Sequence, residues 1–202
     1  INIIILNNIK QKTKKGETNK MEFLVKNAME MSKQMKTDDD LVVGCANIKV
    51  MGCGGAGSNM VNWLYKKGIQ GAEIAALNTD KQHLDMMEVP TKIMIGRSLT
   101  KGLGCGGFPE KGREAAKENI HEIREFLQGT DMVFITAGMG GGTGTGSAPV
   151  VAQIARDMGA IVIGCVTMPF DIERARVDKA EFGLSQLRDV SDTVIVIDNN
   201  RL

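Results

Sequence analysis

The chain has 202 residues, enough for one well-filled α/β domain or slightly more. Lys and Arg (25) balance Asp and Glu (24), which excludes a polyanion-binding surface as the defining feature, so no nucleic-acid partner is expected. No apolar run approaches the roughly 20 residues of a membrane span. Four cysteines without CxxC pairing and only two histidines exclude a zinc site, so neither membrane insertion nor a protein-held metal is expected.

In chain order, residues 1–20 are rich in Lys and Asn and read as a disordered or non-native arm, with Met21 as the expected native start. Residues 21–46 read as an N-terminal helix and linker, with Leu24, Ala28, Met31 and Met35 at helical spacing. Residues 47–202 form the main domain, in which apolar strand-like runs alternate with helical patterns. That alternation predicts an α/β fold with a doubly wound, mostly parallel, Rossmann-like sheet. Strands are expected at Ile48–Met51, Ile74–Leu77, Lys92–Ile95, Val133–Ala137, Ile161–Val166 and Val194–Ile197. Helices are expected at 58–67, 110–127 and 148–158, with a further one carrying Val177, Ala180, Leu184 and Leu187 on one stripe. Met60, Trp63 and Tyr65 on the first helix read as packing residues.

Three glycine-rich segments follow predicted strands. Gly52-Cys53-Gly54-Gly55-Ala56-Gly57 satisfies G-x-G-x-x-G between a strand and a helix, the context of a dinucleotide fingerprint. An NAD-dependent oxidoreductase is therefore one reading, although the acid it needs after the second strand is met only loosely by Asp80, which reads equally as a loop-capping residue. The second segment spans Gly102–Gly107 and the third is Gly140-Gly141-Gly142-Thr143-Gly144-Thr145-Gly146, read as a loop before a helix opening near Pro149. Glycines in regular elements are unfavourable by about 0.5–1 kcal/mol each, so such loops are expected where backbone approaches a ligand. Helix N-termini offer backbone N–H groups and a positive dipole end to anions. No Gly-Lys-Ser/Thr is present, which excludes a Walker A loop. Thr143 and Thr145 supply hydroxyls instead, and Mg²⁺ is expected to arrive with the nucleotide. Cys53 and Cys105 lie in these loops, so thiol reagents are expected to interfere with binding.

Together with Asn78-Thr79-Asp80 and Thr167-Met168-Pro169-Phe170, these segments resemble the nucleotide loops of FtsZ, the tubulin-like cell-division GTPases, in that family's order. The similarity runs from about Met21 to Leu202 and is strongest to archaeal members. It implies GTP or GDP as ligand. It implies that Gly54, Gly55, Ala56, Gly57, Ser58 and Asn59 wrap the α/β-phosphates and the sugar edge, with Asp80 ordering the site. It places Gly142, Thr143 and Gly144 at the β/γ-phosphates, makes Gly140, Gly141, Thr145 and Gly146 nucleotide-binding with them, and puts Gly104, Cys105, Gly106 and Gly107 near the γ-phosphate. Glu173 falls at the ribose position and Asn199 at the guanine position, although each also reads as an ordinary helix-start acid or turn residue. Arg174 or Arg176 faces the nucleotide, with Arg176 favoured because the segment is one residue short of the family spacing. Phe108 stands where the family usually has Asn.

The resemblance further implies head-to-tail self-association, a cytoplasmic location at the mid-cell division site, and membrane anchors that act through a C-terminal tail. The family's catalytic acidic loop follows a central helix, so no catalytic residue is expected within these 202 residues. The chain alone is expected to bind GTP without hydrolysing it. A tubulin-like role in cell shape is the remaining alternative.

Overall fold

The computed structural model describes residues 46–201. The expectations for the arm at 1–20 and for most of the helix and linker at 21–46 therefore lie outside the described residues, as does Cys45. Six strands form one parallel sheet: β1 (Ile48–Cys53), β2 (Ala72–Asn78), β3 (Thr91–Met94), β4 (Met132–Gly138), β5 (Ile161–Met168) and β6 (Thr193–Asp198). Their spatial order is β3-β2-β1-β4-β5-β6. Central parallel strands are covered on both faces, so they read as near-continuous apolar runs. That is why β1, β2 and β4 were visible in the sequence to within a few residues; β5 and the edge strand β6 are less buried but equally apolar runs.

Alternation along each strand divides the interior into two layers. Val50, Ile74 and Phe134 face α1 (Gly54–Lys66), where they pack with Val61 and Leu64. Met51, Ala75 and Ile135 face the opposite side, where Ala148, Val151 and Ala152 of α6 (Thr143–Asp157) and Leu184 and Leu187 of α7 (Ala175–Val190) complete the larger core. Between these lie the short helices α2 (Lys81–Asp85) and α3 (Arg97–Thr100), then α4 (Pro109–Glu118) and α5 (Ile120–Leu127). Neither α2 nor α3 was foreseen, because four or five residues are too few to establish a helical period.

Three helix boundaries differ from expectation. The glycine segment 54–57 is the first turn of α1 and not a loop; the helix begins four residues before the predicted Ser58. At Gly57 a Cβ would collide with the Thr136 carbonyl of β4, so this glycine lets the helix lie directly on the sheet. Likewise α6 begins at Thr143, so Thr143–Gly146 are helical and Pro149 sits inside the helix. A Cβ at Gly146 would enter the Pro109 carbonyl of α4, which makes it a contact between helices. Finally, the predicted helix 110–127 is broken at Asn119. Its Oδ1 accepts the Gly96 N–H at 2.9 Å and its Nδ2 donates to Glu122 at 2.9 Å, drawing the backbone out of the helical register.

Candidate functional site: a glycine-lined cleft at the strand ends

Order reverses between β1 and β4: the chain winds to β2 and β3 on one side, then returns to build β4, β5 and β6 on the other. In open α/β sheets the carboxyl ends at such a switch point form the ligand crevice. Here that crevice is a cleft of about 350 Å³. The α1 turn contributes Gly55 and Ala56, and the β4–α6 turn contributes Gly141, Gly142, Thr143 and Gly144. Gly138 at the end of β4 with Met139 after it, Thr167 and Met168 at the end of β5 with Pro169 after it, and Glu173, Arg176 and Asn199 complete it. The first-turn N–H groups of α1 and α6 lack intrahelical partners, as in any helix, and both helices start at this cleft.

The glycines sort into two kinds. Side chains added at Gly55 or Gly141 would meet nothing within 4 Å, so these two leave the cleft open. Gly54, Gly140 and Gly142 are instead held against protein. Gly54 adopts φ +70°, and a Cβ there would come 2.5 Å from the Gly144 nitrogen, so this glycine lets the two helix starts touch. Gly140 adopts φ +94°, donates its N–H to Thr145 Oγ1 at 2.9 Å and lies against the Arg176 backbone. A Cβ on Gly142 would fall 2.7 Å from that of Cys105 and 2.9 Å from the Phe108 nitrogen. The segment Gly104, Cys105, Gly106, Gly107 thus buttresses the β4–α6 turn from outside and does not line the cleft.

Buried hydroxyls join these segments. Thr79 Oγ1 lies 2.7 Å from Thr143 Oγ1 and 3.4 Å from Cys105 Sγ, which ties the end of β2 to both glycine turns. Thr145 and Ser58 are buried beneath the turns, the Ser58 hydroxyl without a partner among the described residues. Asp80 is placed outside the cleft: its carboxylate accepts the His83 N–H at 3.0 Å and caps α2, the capping reading of the two considered. Asn59 is exposed one turn beyond Ala56, at the rim of a separate cavity of about 720 Å³ on the α1 face. That cavity is bordered by Trp63, Leu64 and Phe134. Trp63 and Tyr65 are 59% and 44% exposed, against the expectation that they pack; Lys67 sits over the Trp63 ring.

At the mouth, Glu173 accepts the Arg176 guanidinium at 2.6 Å and the Phe170 N–H at 3.0 Å. These hydrogen bonds, that from Arg176 foremost, hold its carboxyl below the usual glutamate range. Arg176 lines the cleft whereas Arg174 does not. At the floor, burial pushes the Cys53 thiol up to about 12, partly opposed by a hydrogen bond with Ser147, and Cys105 is also buried. Neither thiol is presented to reagents, which corrects the expectation that thiol chemistry would interfere there. Gly138 and Met139 were not singled out as site residues, and the end of β5 was named only as a resembling segment without roles for its residues. The Thr167-Met168-Pro169 run directly after an apolar strand was the available signal for the last of these.

A family model for the Tubulin/FtsZ family GTPase domain matches residues 47–202. The chain belongs to this family. It is 56% identical to Cell division protein FtsZ 2 of Methanocaldococcus jannaschii over 89% of this chain and 47% of that protein. It is 51% identical to Cell division protein FtsZ 2 of Haloferax volcanii over 90% of this chain and 47% of that protein. Among solved structures, the fold matches an empty FtsZ dimer of M. jannaschii with TM-score 0.77 and 46% identity, covering 87% of this chain and 50% of that one. It matches CetZ2 of H. volcanii, a GTPγS-bound protofilament, with TM-score 0.70 and 26% identity over 76% of this chain and 49% of that one. The chain thus spans about half the length of the relatives it matches. The family's fold is the six-stranded parallel sheet described above.

Proposed function

We propose that the domain binds GTP and GDP, with the phosphates seated between the first turns of α1 and α6. The observation that carries this is the pair of glycines, Gly55 and Gly141, that face open cleft from two helix starts. Backbone N–H groups and two helix dipoles supply the positive potential, which accounts for a phosphate site without a P-loop lysine. Glu173 is suited to accept from ribose hydroxyls, and Asn199 and Asn59 to meet the sugar or base. Among the described residues no group of three or more His, Cys, Asp or Glu could hold a metal. Mg²⁺ is proposed to enter on the phosphates, whose charge it would offset.

By likeness to the FtsZ relatives, the protein that carries this domain is proposed to be a cell-division GTPase that associates head to tail and works in the cytoplasm at the division site. Its membrane anchors would act through sequence outside this chain. Among the described residues no helix is long and apolar enough to cross a membrane. The water-activating residues are proposed to lie outside these 202 residues, so this chain binds without turning over. The cell-shape alternative is less well supported, since the relatives matched at 51–56% identity are named as cell division proteins. The dinucleotide reading loses the acid it requires, because Asp80 is engaged in capping α2.

Titration of the 202-residue chain with fluorescent GTP, GDP, ATP and NADH tests the reading. Saturable guanine-nucleotide binding without NADH binding is expected, together with no concentration-dependent phosphate release. NADH binding in place of GTP would overturn it.

A further inference from the structure

Behind Asn59 runs a chain of hydrogen bonds whose polarity is set from the interior. Asn78, at the end of β2, is 3% exposed, and its Oδ1 accepts the backbone N–H groups of Thr79 at 2.9 Å and Asp80 at 3.3 Å. Two backbone donors on one atom identify that atom as the carbonyl oxygen, so the amide cannot be turned round. Its Nδ2 must then donate, and its partner is His83 Nδ1 at 3.2 Å. An acceptor at Nδ1 leaves the imidazole proton on Nε2. Nε2 lies 3.1 Å from the Asn59 side chain, which must accept through Oδ1. Asp80 holds the donor in place by capping α2 at the His83 N–H.

We infer that His83 is a positioning residue that fixes Asn59 with its amide N–H₂ turned toward a bound nucleotide, so that the site demands a hydrogen-bond acceptor on the sugar or base. Asn59 lies three and four residues beyond Ala56 and Gly55, and all three are exposed on one face of α1. A nucleotide with phosphates at Gly55 and Ala56 therefore extends its sugar and base along that face toward Asn59. Without His83 the Asn59 amide can rotate and present either end. The ordering of the donor before the ligand arrives is what His83 contributes. The inference rests on the nucleotide reading above.

Two measurements on the 202-residue chain test it separately. Long-range ¹H–¹⁵N NMR of the nucleotide-free chain reads the His83 tautomer: a proton on Nε2 is expected, and one on Nδ1 overturns the relay. GTP affinity is then compared across variants. His83→Gln keeps an amide donor at the reach of Nε2 and is expected to bind as the wild type does. His83→Leu removes the donor and is expected to weaken binding about three- to tenfold, the size of one neutral hydrogen bond. Wild-type affinity in a folded His83→Leu chain overturns the positioning role, as does an equal loss in His83→Gln. If the wild-type chain binds no GTP, the nucleotide reading fails and takes the ligand half of the inference with it, while the NMR result still decides the relay.

Discussion

Glu173 and Arg176 are three residues apart across the mouth of the cleft and are joined at 2.6 Å. The pairing depresses the carboxyl's proton affinity in the folded chain, with the Phe170 N–H contributing second. A depressed carboxyl stabilises the fold above its unfolded value of about 4.5, and that contribution is lost as pH falls through the lower folded value. An NMR titration of the Glu173 side chain should therefore give a midpoint below 4.5. In Arg176→Ala the midpoint should rise toward the ordinary value. A titration unchanged by that substitution would show that the ion pair is not formed in solution.

The two kinds of glycine predict opposite outcomes for one chemical change. Gly55→Ala places a methyl in open cleft within a helix, where alanine is favoured by up to about 1 kcal/mol. It should leave the fold as stable or more so and weaken GTP binding at least about tenfold, the cost of losing one charge-assisted phosphate contact. Gly57→Ala forces a methyl into the Thr136 carbonyl and should destabilise by about 1–3 kcal/mol. Urea denaturation alongside nucleotide titration separates the two. Equal stability in both variants would remove the distinction.

The same contrast explains how much could be read from the residues alone. Buried parallel strands announce themselves as apolar runs, so the sheet and its order of elements were legible. Glycine runs announced close approach, but a missing Cβ reads identically whether it leaves open space, as at Gly141, or makes room for a neighbouring helix, as at Gly146. Low helix propensity likewise pushed the predicted starts of α1 and α6 too far along the chain, because tertiary contact with β4 and α4 overrides it. Arg176 was favoured over Arg174 on spacing alone, and the structure lines the cleft with Arg176 and not Arg174. His83 was invisible as a site residue, since its two side-chain partners lie 5 and 24 residues away and neither spacing carries a motif.

Lys49 is a charged residue near the start of β1, 5% exposed. Its ammonium donates to the Phe126 carbonyl at 2.6 Å and the Gln128 carbonyl at 3.3 Å, and pairs with Glu73 at 3.2 Å. It therefore satisfies carbonyls at the C-terminal end of α5, where the helix dipole is negative. Lys49→Met preserves the apolar stem but strips a buried carbonyl of its donor. A loss of about 1–3 kcal/mol is expected in urea denaturation, with GTP affinity unchanged because the residue lies outside the cleft. A neutral result would mean that water replaces the ammonium at Phe126.

Cys53 sits at the end of β1, where its backbone carbonyl packs against Gly144 and its thiol is turned into the core. With burial pushing the thiol up to about 12, the thiolate is scarce at pH 8. Alkylation requires that thiolate as well as access, so both barriers act in the folded chain and both vanish on unfolding. Mass mapping after iodoacetamide treatment at pH 8 should find Cys53 unmodified in native buffer and fully modified in urea. Because protection depends on the β1 end staying closed, its rate of loss measures local opening beside the cleft. Bound GTP should slow that loss further if the nucleotide bridges α1 and α6, whereas unchanged protection at saturating GTP would place the ligand elsewhere.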